Sequence, residues 1–242
     1  MAEHTAGIIG VLGGMGPAAT ADFYAKLVRA TPASTDQDHL RVLIWSDPSI
    51  PDRTAALLGG GADPVPLLTD GATRLRSAGA AFLVVPCNTA HAFLPRVRER
   101  VDVSFLSMIE ATATRIAGES ASVARVGLLG TTATVQSGLY REELDRYGLE
   151  LVAPTPTAQA RVMAGIARVK AGAIDAEAWR LVSEAATALA DAGAELIIAG
   201  CTELPLALAW HETGLPLIDP TQVLAEEAVR RVLRAPAAVA SH

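Results

Sequence analysis

The chain has 242 residues, half of them apolar and 19% charged, with a formal net charge of −6 at pH 7. This composition excludes an intrinsically disordered protein, and an acidic balance without a long basic run argues against nucleic acid as the main partner. The apolar runs are all shorter than a membrane span, so no membrane partner is expected.

Strand-like runs alternate with helix-like stretches along the chain, which predicts βαβ units with parallel sheets. In chain order, the predicted strands are residues 7–12, 41–45, 80–86, 103–107, 124–129, 195–199 and 215–218. One helix is predicted to begin near Pro17. Further predicted helices are residues 92–98, 157–170, 176–192 (with Asp175 as its N-cap) and 221–233, followed by a loose tail at 235–242.

The two cysteines end segments that are built to the same plan. Ala-Gly-Ala precedes Cys87 and Cys201 at the same spacing, and a short apolar run leads into each thiol. The echo extends to two Gly-x-Leu-Gly strand ends and to two tyrosines, Tyr24 and Tyr140. Three matched features in the same order favour an ancient duplication.

The duplication predicts two similar α/β domains with the site between them. We expect residues 1–103 plus 211–242 to form the first domain and residues 104–210 the second, with the last strand and helix packing back on the first half. Open parallel sheets bind ligands at the carboxyl ends of their strands. The two thiols would then face a substrate from opposite sides.

The cysteines and the first residues predict the cellular compartment. Residues 1–4 lack the basic start of a secretory signal, and two cysteines without an export signal favour free thiols in a reducing environment. We therefore expect a cytoplasmic protein.

A glycine-rich loop at residues 13–20 follows the first strand. Glycines between a strand and a helix let the backbone approach an anion, but Pro17 removes one of the amides that such a loop would offer. A tight turn is an equally good interpretation. The interpretation as a nucleotide-linked oxidoreductase would depend on this loop alone.

Arg53 follows the second strand in a loop that two prolines stiffen. Arginine grips a carboxylate with two parallel hydrogen bonds. A surface pair with Asp52 is the alternative, but the position after a strand favours a role in binding.

Polar residues follow Cys87, which is unusual for a packed core. Asn88 and Thr89 offer an amide and a hydroxyl to a carboxylate, and a helix start favours the thiolate of Cys87. His91 lies four residues on and would make a metal pair conceivable. A zinc site needs about four ligands at recognisable spacing, and because the sequence offers no such set we predict no metal.

The second half repeats this arrangement after Cys201. Thr202 can bind a carboxylate or cap a helix, and Glu203 can orient a neighbour or occupy a first helical turn. Residues 131–134 offer several hydroxyls, and the sequence leaves open which of them faces a ligand. Lys170, at a helix end, is within plausible reach of a carboxylate.

Together these loops resemble the aspartate/glutamate racemase family that works without pyridoxal phosphate, and within it the aspartate racemase branch. The resemblance is carried by residues 13–17, 51–54, 86–91, 127–131 and 200–205. It implies an isomerase with two pseudo-symmetric, Rossmann-like α/β domains with parallel sheets, an active site in the interdomain cleft, and a homodimer. Aspartate would be the small-molecule substrate and no cofactor would be needed.

The resemblance also assigns roles to individual residues. Cys87 and Cys201 would be the two catalytic bases, on opposite faces of the α-carbon. Substrate-binding residues would be Arg53, Asn88, Thr89, Ala90, Lys170 and Thr202. Because decarboxylase-like members lack one cysteine, the two cysteines favour racemisation. Open alternatives are a related substrate (glutamate, another amino acid, a hydantoin or maleate) and a non-catalytic amino-acid-binding module.

Overall fold

The computed structural model describes residues 7–119, 122–207 and 214–234. Two predicted features lie outside these residues, namely the chain crossing near residue 210 and the tail at 235–242. Within the described ranges the chain forms two four-stranded parallel sheets. The predicted α/β class with two similar halves is therefore confirmed.

The first half alternates strands with helices, as the sequence predicts. Its strands are β1 (Ile8–Gly13), β2 (Val42–Ser46), β3 (Ala80–Val84) and β4 (Ser104–Leu106). Its helices are α1 (Pro17–Ala30), α2 (Arg53–Leu57), α3 (Val65–Ser77), α4 (Leu94–Arg98) and α5 (Met108–Glu119), with 3-10 helices at Asp36–Asp38 and Thr89–Phe93.

The second half follows the same plan with more helix. Its strands are β5 (Arg125–Gly130), β6 (Glu150–Val152), β7 (Leu196–Gly200) and β8 (Leu217–Ile218). Its helices are α6 (Thr132–Gln136), α7 (Leu139–Asp145), α8 (Pro156–Lys170), α9 (Ala176–Asp191), α10 (Leu204–Ala207) and α11 (Pro220–Arg234). Asp175 caps α9 as predicted, because its carboxylate accepts the Ala178 N–H at 2.9 Å.

Both sheets have the same strand order, β2-β1-β3-β4 in one and β6-β5-β7-β8 in the other. In each, the glycine-ended strand pairs in parallel with the strand that leads to a cysteine. Those central strands are almost wholly buried because helices cover both faces, which is why they read as continuous apolar runs. The common strand order supports the duplication inferred from the sequence.

Helices from both ends of the chain pack against the first sheet. The apolar face of α11 joins Phe23 and Leu27 of α1 in one buried cluster, through Leu224 and Ala228. The helix α5 lies between the halves, since its Met108 belongs to this cluster while its other apolar residues pack in the second half. None of the helices in the described ranges is long and apolar enough to cross a membrane.

The last strand differs from the prediction. We expected residues 215–218 to pack back on the first half, but β8 pairs with β7 in the second sheet. The following helix, α11, does return and packs on α1. Likewise β4 pairs with β3, so the first sheet extends past residue 103. A two-residue strand carries too little pattern to reveal its partner. The domain boundaries as a whole stay a prediction.

The two tyrosines matched in the sequence have different surroundings. Tyr24 lies on α1 and is 43% exposed, whereas Tyr140 lies on α7 and is fully buried. The match in sequence therefore does not extend to a common environment.

Candidate active site

A narrow cleft between the two halves collects most of the residues that the sequence singled out. Seven of the eight predicted site residues line it, namely Arg53, Cys87, Asn88, Thr89, Lys170, Cys201 and Thr202. Ala90 does not line the cleft and is fully buried in the core of the first half. The cavity measures about 20 Å³, room for about one water molecule.

Cys87 follows the end of β3 and is 7% exposed. Its N–H turns back to the Val85 carbonyl at 2.8 Å, which ends the strand. Its own carbonyl lies 2.9 Å from Nδ1 of His91. The chain then enters the 3-10 helix, and the thiol is left at the cleft.

His91 is held by the backbone at both ring nitrogens. Because the Met108 N–H donates to Nε2 at 3.1 Å, Nε2 carries no proton, and Nδ1–H donates to the Cys87 carbonyl. Burial lowers the pKa of His91 to about 4, so the ring is neutral at physiological pH. The histidine that suggested a metal pair therefore ties the Cys87 loop to the start of α5.

Cys201 follows β7 and is 6% exposed. Its thiol donates to Oε2 of Glu203 at 2.9 Å, and the Thr202 hydroxyl donates to the same oxygen at 3.1 Å. Burial raises the pKa of Cys201, and the negative charge of Glu203 raises it further, while Lys170 acts in the opposite direction. Cys201 is therefore a protonated thiol in this arrangement.

Arg53 is anchored by backbone carbonyls. Its guanidinium donates to the carbonyl oxygens of Ile50, Pro51 and Met15 at 3.0, 2.9 and 3.2 Å. Asp52 instead caps α2 by accepting the Ala55 N–H at 2.7 Å, so the surface-pair alternative is wrong. The buried Nε–H of Arg53 has no hydrogen-bond partner within the described ranges, and the fixed fork stays charged at the cleft.

The glycine loop acts as a tight turn. The Gly14 N–H donates to the Thr20 hydroxyl at 2.9 Å, and a Cβ at Gly14 would lie 2.3 Å from the Asp47 backbone nitrogen. Its φ of +90° also requires glycine. The loop still reaches the cleft through Met15, a contact that the sequence analysis missed.

Three threonine hydroxyls join the two halves beside the cleft. Thr89 lies 3.0 Å from Thr131 and 2.8 Å from Thr134, and these two lie 3.0 Å from each other. Thr131 also caps α6. Of the hydroxyls at residues 131–134, it is the one that lines the cleft.

Asn88 is 2% exposed and contacts the second half through a tyrosine. Its Oδ1 accepts a hydrogen bond from the hydroxyl of Tyr140 at 2.6 Å. Tyr140 is a contact that the sequence did not predict, and for Glu203 the sequence left two roles open. Glu203 had a signal in its closeness to Cys201, whereas Tyr140 had none, since the two halves meet only in the folded chain.

Lys170 is the last residue of α8, is exposed and lines the cleft. No carboxylate in the described part of the chain forms an ion pair with it. Together with Arg53 it supplies the positive charge of the cleft, while Asp52 and Glu203 supply negative charge.

The chain is similar to known proteins of one enzyme family. The family model described as Asp/Glu/Hydantoin racemase matches residues 12–228. The broad specificity amino-acid racemase RacX of Bacillus subtilis is 29% identical over 234 residues, which are 93% of this chain and 98% of RacX.

Two solved structures are similar over nearly the whole chain. The aspartate racemase of Picrophilus torridus has 32% identity and a TM-score of 0.79, covering 93% of this chain and 94% of that one. An aspartate racemase homologue of Pyrococcus horikoshii OT3 has 26% identity and a TM-score of 0.72, covering 93% and 98%. With its family model matched over most of its length, the chain belongs to the Asp/Glu/Hydantoin racemase family and is an isomerase.

Proposed function

We propose that this protein racemises acidic amino acids, with aspartate as the preferred substrate, by proton transfer between the α-carbon and two thiols, without a cofactor. One observation carries the proposal. Both cysteines of the chain, from the ends of equivalent strands in the two halves, line the same narrow cleft.

The thiols divide the work of one turnover between them. In one direction Cys87 is the base, which takes the α-proton as a thiolate and becomes a thiol. Cys201, which is protonated beside Glu203, gives its proton to the opposite face of the carbon. The reverse direction exchanges these roles. Each turnover moves one proton off and one proton on, so no redox partner is involved.

The charges of the cleft support an acidic substrate. Removing the α-proton places negative charge on the adjacent carboxylate, and fixed donors stabilise that charge without reorganisation. Arg53, held on three carbonyls, and Lys170 are the cations that serve a substrate with two carboxylates. The similarity to the Picrophilus torridus aspartate racemase supports the same substrate class.

The direct test is proton exchange in heavy water. We expect L-aspartate incubated with the purified enzyme, without pyridoxal phosphate and with a metal chelator, to gain deuterium at the α-carbon and to yield D-aspartate. Mass spectrometry and chiral chromatography measure the two products. Absence of both products with aspartate and with glutamate would contradict the proposal. Aspartate binding without exchange would favour the amino-acid-binding module instead.

The two-thiol mechanism has its own test. Cys87→Ser and Cys201→Ser should each lower kcat by at least about a thousandfold, because a serine hydroxyl, unlike a thiol, does not ionise near neutral pH and so supplies no anion to accept the α-proton. Circular dichroism of both variants controls for folding. Full activity in either variant would refute a mechanism in which both thiols are required.

A broader amino-acid specificity is the second candidate, supported by the similarity to RacX. Exchange rates for aspartate, glutamate and neutral amino acids separate the two. A preference for neutral substrates would support the RacX-like alternative and remove the role proposed for Arg53 and Lys170. The homodimer and the cytoplasmic location stay predictions from the sequence.

A further inference from the structure

A hydrogen bond between the halves fixes the orientation of an amide at the cleft. The Tyr140 hydroxyl, on α7 of the second half, lies 2.6 Å from Oδ1 of Asn88 in the first half. Tyr140 is fully buried and Asn88 is 2% exposed, so water does not compete for this bond. The oxygen–oxygen distance is at the short end of the range for O–H···O hydrogen bonds.

The same amide leaves its other end unpaired. Nδ2 of Asn88 is buried and has no hydrogen-bond partner among the residues that the structure describes. A buried N–H without an acceptor is costly and calls for an explanation. Asn88 lines the cleft together with both cysteines, so a ligand in the cleft can supply the missing acceptor.

We propose that Tyr140 is a positioning residue, which holds Asn88 with Oδ1 turned away so that the Nδ2–H group is directed at a substrate carboxylate. This inference rests on the proposed function of the cleft. An amide rotated by half a turn would present Oδ1 to the carboxylate, and two acceptors would then repel each other. Tyr140 opposes that rotation, because its hydroxyl donates to Oδ1 and would have to give up this bond and become the acceptor if the amide turned over.

The chemistry of the phenol suits this task. Burial raises the pKa of Tyr140 well above its ordinary value, so the hydroxyl keeps its proton at neutral pH and can serve as a donor. Since Tyr140 and Asn88 come from different halves, the donor is aligned only when the halves are packed as described here. Substrate recognition in the first half therefore depends on a residue of the second.

The test is Tyr140→Phe, which removes one oxygen and keeps the buried ring. Without the hydroxyl the amide can rotate, and a hydrogen bond to a charged group is lost or misaligned. We expect KM and the Kd for aspartate to rise about tenfold, with a smaller change in kcat. Tyr147→Phe is the matched control, because it removes an exposed tyrosine hydroxyl bonded to Thr114 at 2.9 Å. It should leave KM unchanged.

A second variant shows whether Tyr140 acts through the amide. In an Asn88→Ala background, Tyr140→Phe should have little further effect on KM, since no amide remains to be oriented. An equal tenfold loss with and without Asn88 would overturn the proposal, and so would an unchanged KM and Kd in Tyr140→Phe.

A ligand-free readout separates this idea from the proposed function. The side-chain amide signal of Asn88 in ¹⁵N NMR should shift in Tyr140→Phe and stay in place in Tyr147→Phe. An unmoved signal in Tyr140→Phe contradicts the positioning role, whether or not the protein racemises aspartate. Failure of proton exchange in the wild-type protein contradicts the proposed function alone.

Discussion

The buried histidine beside Cys87 should make the stability of the protein fall in mild acid. His91 accepts the Met108 N–H and donates to the Cys87 carbonyl, and its pKa is lowered from 6.5 to about 4, chiefly by burial. Between pH 6.5 and about pH 4, the unfolded chain therefore binds a proton at this histidine and the folded chain does not. The contribution of neutral His91 to the free energy of unfolding is therefore fully present above pH 6.5 and is lost as the pH falls toward 4.

The size of the loss follows from the two pKa values. Relative to pH 7.5, His91 should cost about 1 kcal/mol of unfolding free energy at pH 5.5 and about 3 kcal/mol at pH 4.5. Urea unfolding at the three pH values measures the loss. His91→Gln removes the titrating group, so its stability should depend less on pH by these amounts, although the variant is less stable throughout.

A second histidine provides the control. His39→Gln keeps His91 and should retain the pH dependence of the wild-type protein. If His91→Gln loses as much stability between pH 7.5 and 4.5 as the wild type, the neutral, doubly bonded histidine inferred here is wrong. A loss that disappears in His39→Gln would assign it to the other histidine.

Three further substitutions probe the site and the turn before it, and Gly118→Ala is the control for the turn. Glu203→Gln removes the charge that, together with burial, raises the pKa of Cys201. In the direction in which Cys201 is the base, the acid side of the pH profile of kcat/KM should therefore move to lower pH. An unmoved profile would show that Glu203 does not raise the pKa of the thiol. Arg53→Lys should raise KM for aspartate at least about tenfold in initial-rate assays, because lysine lacks the planar fork, and an unchanged KM would exclude a grip on the carboxylate. In urea unfolding, Gly14→Ala should destabilise the fold by at least about 2 kcal/mol. Gly118→Ala, whose added methyl meets nothing within 4 Å, should stabilise it by about 0.5–1 kcal/mol, and equal effects would contradict the turn geometry.

The sequence predicted most of the architecture because the signals are local. The apolar runs before Cys87 and Cys201 are buried strands, and the helix after Asp175 begins where its cap predicts. Repetition of the cysteine segments predicted two sheets of one topology. The placement of β8 was missed, since two residues carry no pattern that distinguishes one sheet from the other.

The sequence predicted most of the residues that lie together at the cleft but not the side chains that they contact. Seven of the eight expected site residues line the cleft. Six of them follow strand ends, which parallel sheets bring to one edge, and Lys170 lies at the end of a helix. Ala90 was the exception: it lies one residue past Thr89 in a 3-10 turn and packs into the core.

The sequence by itself determined the fold class and the pair of cysteines, since burial periodicity and motif spacing are properties of neighbouring residues. Only the tertiary structure decided what each polar group contacts. It gave the Cys201 thiol a carboxylate, the Cys87 backbone carbonyl a neutral histidine and the Asn88 amide a tyrosine from the other half. These contacts join residues far apart in the chain or depend on side-chain rotation. Such hydrogen bonds become strong only where packing has excluded water.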